Sequence, residues 1–151
     1  MYYMGIGVRQ DYAEAIKWYR LAAAQGDASA QFWLGHMFDD GQGVRQDYAE
    51  AVKWFQLAAA QGNAQAQTEL GNFYNDDRGV EKKYAEAVKW YRLAAAQGNA
   101  PAQFNLGRMY YNGRGVRQDM EAAKQWHGKA CDNGLQVGCD IYRELNEQVI
   151  R

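Results

Sequence analysis

The hydrophobic and polar positions of this chain recur over a long distance before they alternate over a short one. The stretch Tyr12-Ala-Glu-Ala-Ile-Lys-Trp18-Tyr-Arg-Leu21-Ala-Ala-Ala-Gln-Gly26 returns at Tyr48 to Gly62 and at Tyr84 to Gly98, with a degraded copy from Met120 to Gly134. Tyr12, Tyr48, Tyr84 and Met120 stand at a fixed step of 36 residues, as do Trp18, Trp54, Trp90 and Trp126. A period in this range is the mark of stacked helical repeats, each too small to bury its apolar face alone. Within a copy, Tyr12, Ala15, Ile16, Tyr19 and Ala22/Ala23 fall at spacings of three and four, which predicts an amphipathic helix (helix B). Its start is signalled near Asp11 by Asp11 with Glu14, and in the next copy by Asp47 with Glu50; Lys83 takes the cap position of the third. Trp18 is expected to widen the apolar face, and the regular tryptophans read as packing residues. Gly26 ends the helix as a left-handed residue would.

A second, shorter helix (helix A) follows at once, over 28–38, 64–74 and 100–110, behind the N-caps Asp27, Asn63 and Asn99. Pro101 sits in a first turn, where its missing N–H costs nothing. Ala30, Leu34 and Phe38 form the buried stripe, and Gly35, Gly71 and Gly107 permit close backbone approach. The A-to-B turn is Asp40-Gly41-Gln42-Gly43-Val44; in the third copy Asp77 replaces its first glycine, which predicts strain or a different turn there. The pattern thus divides the chain into a partial repeat (1–11), repeats 12–47, 48–83 and 84–119, and a C-terminal capping repeat 120–151. Met1 to Val8 aligns with Met37 to Val44, so the chain is expected to enter in mid-repeat, as a fragment of a longer protein or a form with its start removed. The last helix, Gln136 to Ile150, carries Ile141, Leu145 and Val149 on one face and Asp140, Arg143, Glu144, Glu147 and Arg151 on the others, as a cap requires.

Composition narrows the function classes. Net charge is -1 and the pI about 6.1, so the chain lacks the basic footprint that nucleic-acid binding needs. No apolar run approaches the ~20 residues of a membrane span. Ser29 and Thr68 are the only hydroxyl residues besides tyrosine, and His36 and His127 the only histidines. No Gly-x-Ser-x-Gly or Ser-x-x-Lys motif occurs, no second cysteine pair or histidine cluster completes a metal site, and Gly41-Gln-Gly43 is a repeat turn. Catalysis, metal ions and cofactors are therefore not expected.

The 36-residue period, the Ala-Glu-Ala-x-Lys-Trp-Tyr core, the Ala-Ala-x-Gln-Gly-Asn/Asp-Ala-x-Ala-Gln link and the Leu-Gly…Tyr…Gly-x-Gly-Val segment closely resemble Sel-like repeats, the SLR branch of the tetratricopeptide-type helical repeats. The resemblance covers nearly the whole chain. It implies an all-α fold, an α-solenoid of helix-turn-helix repeats with a right-handed superhelical twist, and an adaptor that binds other proteins. The last repeat resembles those of cysteine-rich secreted bacterial members, whose repeats carry two bridged cysteines separated by seven residues. Cys131 and Cys139 have that spacing and those columns, which implies a disulfide and a periplasmic or secreted location; two reduced thiols in the cytoplasm are the alternative. The first three repeats lack cysteine there. β-Lactam binding or hydrolysis has been attributed to such relatives, but the hydroxyl inventory above does not support it.

If the recurrent residues are stacking hardware, function falls to the variable columns of helix A. Positions 29, 33 and 36 share a face away from the buried stripe. In related solenoids helix A lines the concave groove, so the resemblance implies a protein- or peptide-binding groove bearing Trp33, His36, Glu69, Asn72, Asn105 and Arg108. Trp33, a large aromatic at a variable position, suits a binding hot spot. A spacer or self-assembling element is the alternative; the apolar edge at Tyr12, Trp18 and Tyr19 would then make a homodimer.

Overall fold

A computed structural model of the chain describes residues 5–150, with side chains from 11 to 148. Eight helices follow one another without a strand among these residues: α1 (Gly5–Ala24), α2 (Ala28–Asp40), α3 (Tyr48–Ala60), α4 (Ala64–Asp76), α5 (Tyr84–Ala96), α6 (Ala100–Asn112), α7 (Met120–Asp132) and α8 (Gln136–Ile150). Each packs on the helix before it and the helix after it, so the fold is an all-α solenoid in which α2, α4, α6 and α8 are the A helices and α1, α3, α5 and α7 the B helices.

The A-helix caps are those the sequence predicts. The side-chain oxygens of Asp27, Asn63 and Asn99 accept from the backbone N–H of Ala30, Ala66 and Ala102 at 2.8, 2.8 and 2.9 Å. Asp47 and Asp119 do the same for α3 and α7, while Lys83 makes no side-chain cap bond. At the B-to-A corner, Gly26 adopts φ 94°. Its N–H reaches the Ala23 carbonyl at 3.0 Å and the Asp27 N–H reaches that of Ala22 at 3.1 Å, a two-bond C-terminal motif that only a left-handed residue allows. Asp77 keeps the left-handed conformation of the glycine it replaces (φ 59°), and its Oδ1 accepts from the Lys82 N–H.

Two linked expectations fail at α1. The helix expected to start near Asp11 already runs from Gly5, and Asp11 lies inside α1 instead of capping it; Met1 to Met4 lie outside the described residues. Later copies supply the reason. Gly43, Gly79 and Gly115 sit against Tyr12, Tyr48 and Tyr84, each on the preceding B helix. Among the described residues Gly7 has no earlier B helix to seat against, so nothing interrupts the helix. Trp18 fails as a packing residue for a similar reason. Trp90 and Trp126 are partly buried against clusters built largely from elements before them, but Trp18 is 66% exposed.

The core is periodic. Leu34, Leu70 and Leu106 are fully buried, as are Phe55 and Phe73. The A-helix glycines face aromatic rings of the following B helix: a Cβ on Gly35 would lie 2.9 Å from Phe55, and one on Gly107 2.8 Å from His127 Nε2, while Gly71 faces Tyr91. Buried glutamines join successive repeats. Gln31 Nε2 donates to the Ala23 carbonyl at 3.1 Å, and its own Oε1 accepts from Gln61 of the next copy at 2.8 Å. The same two bonds recur at Gln67 with Ala59 and Gln97, and at Gln103 with Ala95 and Asn133. In the last copy Cys131 takes the alanine column and Cys139 the glutamine column, and the two form a disulfide with Cα atoms 4.6 Å apart. A covalent bond thus replaces the hydrogen bond of the earlier copies.

Candidate functional site

The columns 33/69/105 and 36/72/108 emerge on one side of α2, α4 and α6, and the structure brings their six residues into a single run. Trp33 is 48% exposed, and its ring stacks on His36 with centroids 6.0 Å apart. Phe32 supports both from beneath with edge-on contacts. His36 Nδ1 lies 3.2 Å from Asp40 Oδ2, one turn on. Glu69 is half-buried on α4; burial, its largest influence, raises its carboxyl above the usual range, while His36 and a hydrogen bond with Asn72 act against the rise. Asn72 then links two helices: its Oδ1 accepts from the Tyr91 hydroxyl at 2.6 Å and from Asn105 Nδ2 at 3.2 Å. Arg108 closes the run as an exposed side chain that makes no hydrogen bond or ion pair among the described residues.

Three features of this surface escaped the sequence reading. The first is a pair joining residues far apart in the chain: Arg78 Nη1 lies 3.4 Å from Asp39 Oδ1, with the guanidinium 4.4 Å from the Phe73 ring centroid. Burial raises the Asp39 carboxyl, and Arg78 opposes that rise. His36, Asp39 and Asp40 bring three ligand-type atoms within 4.8 Å of one another, but Arg78 already supplies the positive charge at Asp39. No local motif announces a pair 39 residues apart in sequence. The second is Tyr91, whose hydroxyl anchors Asn72; burial raises its pKa far above the phenol range. The third is His127. It occupies the aromatic column of Tyr19, Phe55 and Tyr91, is 2% exposed, and leaves Nδ1 without a partner. Burial first and Arg108 second lower its pKa to about 4, so it is neutral at pH 7. Column alignment alone would have placed it in the interior.

The comparisons with known proteins agree with this architecture. Sel1 repeat models match residues 1–27, 28–63, 64–99 and 100–135. The chain belongs to the Sel1 repeat family. Such repeats are non-catalytic scaffolds that generally mediate protein interactions. Among solved structures the chain is similar to a protective antigen of uropathogenic Escherichia coli strains displaying an SLR fold, at 43% identity and a TM-score of 0.83, covering 85% of this chain and 27% of that one. It is also similar to a Sel1 repeat protein from Oxalobacter formigenes, at 36% identity and a TM-score of 0.82, covering 86% and 53%. The chain therefore spans only about a quarter and about half of these two relatives. Helicobacter pylori cysteine rich protein B shares the fold at 22% identity and a TM-score of 0.71, covering 89% and 96%. A search of the curated proteins returns no match. No helix among the described residues is long and apolar enough to cross a membrane.

Proposed function

We propose that this Sel1 repeat array binds a protein or peptide segment along the A-helix surface that runs from Trp33 through His36, Glu69, Asn72 and Asn105 to Arg108. The observation that carries the reading is the junction at Asn72. Successive helices are locked there by side-chain hydrogen bonds, so the exposed polar groups are held in place before a partner arrives. Preorganisation lowers the entropic cost of binding. Trp33 supplies an apolar anchor at one end, and the unpaired Arg108 a cation at the other. The Cys131–Cys139 disulfide supports an oxidising compartment, periplasmic or extracellular, for this activity. Peptides selected from a random display library on the intact chain test the reading. Trp33→Ala should weaken the selected peptides by ~30-fold, the loss typical of a hot-spot residue, at an unchanged melting temperature. Equal affinity for the variant would sink the proposal.

A second reading, self-association, has its own observation. Ala51, Phe55 and Ala58 of α3 are fully buried against the preceding A helix, whereas their counterparts Ala15, Tyr19 and Ala22 on α1 are only half-buried. Light scattering across a hundredfold concentration range distinguishes the two: a homodimer through α1 should dissociate on Tyr19→Lys, and a strict monomer removes this reading.

A further inference from the structure

Between α6 and α8, above the ring of His127, lies a cleft of about 350 Å³. One repeat earlier, the equivalent cleft above Tyr91 is reduced to about 10 Å³. The lining differs at every column between the two repeats, and three of the substitutions bear on the space itself. Tyr91 fills its cleft with a phenol whose hydroxyl donates to Asn72, and Asn105 closes the roof with a bond to the same oxygen. In the last copy His127 is shorter than a tyrosine, Arg108 stands where Asn72 was, and Ile141 where Asn105 was, so neither the phenol nor the roof bond is present. The walls that remain are apolar: Phe104, whose ring meets His127 edge-on at 4.9 Å, together with Tyr111, Ile141 and Leu145. His127 lines the cleft as well, and its buried Nδ1 has no hydrogen-bond partner. Two charged groups of opposite sign border the cleft, Arg108 on α6 and Glu144 on α8.

We propose that this cleft receives a tyrosine side chain from the bound peptide, seated above the ring of His127. The ring would lie between Phe104 and Leu145. Its oxygen would accept from the Arg108 guanidinium while its O–H donates to the Glu144 carboxylate. A hydroxyl is both acceptor and donor, which suits a rim of one cation and one anion; a carboxylate would be repelled by Glu144 and an ammonium by Arg108. The neutral state of His127 at pH 7 keeps the floor free of charge beneath the ring. The source of the tyrosine rests on the peptide-groove reading above; the chemistry of the cleft does not.

The test separates the two by using a side chain without a peptide. N-acetyl-tyrosinamide, which carries neither terminal charge, is titrated into the isotopically labelled chain. Saturable shifts at Tyr111, Ile141 and Glu144 are expected in roughly the millimolar range. N-acetyl-phenylalaninamide should bind about tenfold more weakly, and Arg108→Gln and Glu144→Gln should each cost a similar factor. His127→Tyr should abolish the response by refilling the cleft from within, with a melting temperature no lower than the parent's. Absence of a saturable response, equal affinity for the phenylalanine analogue, or undiminished binding to a folded His127→Tyr overturns the proposal. So does tighter binding of 4-hydroxybenzoate, which would assign the cleft to small acids. Loss of the cleft on any of these grounds leaves the Trp33 test of the groove untouched.

Discussion

His127 shows how one side chain can occupy a structural column and change its chemistry. Its neighbours in the column are Phe55 and Tyr91, rings that never carry a positive charge. A histidine in that place must stay neutral to remain buried, and its pKa falls to about 4. The unfolded chain, with an ordinary histidine, binds the proton first, so stability falls as pH drops from about 6.5 towards 4. By pH 5 the loss attributable to this residue is about 2 kcal/mol. The raised carboxyls of Asp39 and Glu69 act in the opposite sense at the acid end, because the native state takes up their protons more readily. The difference between the parent and His127→Phe therefore isolates the histidine: the parent should lose stability from pH 7 to pH 5 by urea denaturation, and the variant should lose markedly less. Gly71 gives a second residue-scale prediction. A methyl there would enter the ring of Tyr91, so Gly71→Ala should destabilise by ~1–3 kcal/mol despite alanine's better helix propensity, a fall of several degrees in thermal melts. Both residues sit in columns that the period exposes. Their roles do not appear in the local pattern, because glycine and aromatic meet across helices that the sequence separates by about twenty positions.

At the scale of the element, helix boundaries were legible to within two residues for α2, α4 and α6, because Asp27, Asn63 and Asn99 announce each start. The ends were less legible. The predicted A helices stop at Phe38, Tyr74 and Tyr110, yet each continues two residues further, to a left-handed residue at 41, 77 or 113. The start of α1 was misplaced, since Asp11 has the sequence of a cap but lies inside a helix that begins at Gly5. The α7–α8 corner was legible through column equivalence, because Cys131 and Cys139 replace a pair of positions already in contact. Closing so short a loop stabilises by ~2–3 kcal/mol. Cys131→Ser with Cys139→Ser should lower the melting temperature by several degrees and increase hydrogen exchange first in α8. Protein never exposed to reductant should show no reactive thiols under denaturing conditions; two would remove both the bridge and the argument for an oxidising compartment.

At the scale of the molecule, the solenoid was legible and its surface only in part. Six residues chosen for variability do fall on one A-helix face, since three- and four-residue spacing fixes direction on any helix. The bonds among them were not legible, because Asn72 meets Tyr91 and Asn105 through the superposition of repeats. The Asp39–Arg78 pair and the cleft beside Arg108 share that origin. The α8 surface departs from the earlier A helices at one column. Arg143 stands in the column of Gly35, Gly71 and Gly107, the glycines that admit the aromatic ring of the next B helix. No ring can seat against an arginine in the same way.

The glutamine ladder bears on how such a chain changes over generations. Each rung uses one side chain to satisfy a carbonyl in its own repeat and an amide from the next, with the same pair of bonds at every step. Removing or duplicating one 36-residue unit between rungs leaves every buried amide with an equivalent partner. A length change inside a B-to-A corner, between a carbonyl and the glutamine that bonds it, strands a polar group in the interior. The ladder thus makes whole repeats the natural unit of insertion and loss, and allows the binding surface to be lengthened or shortened without redesigning the core.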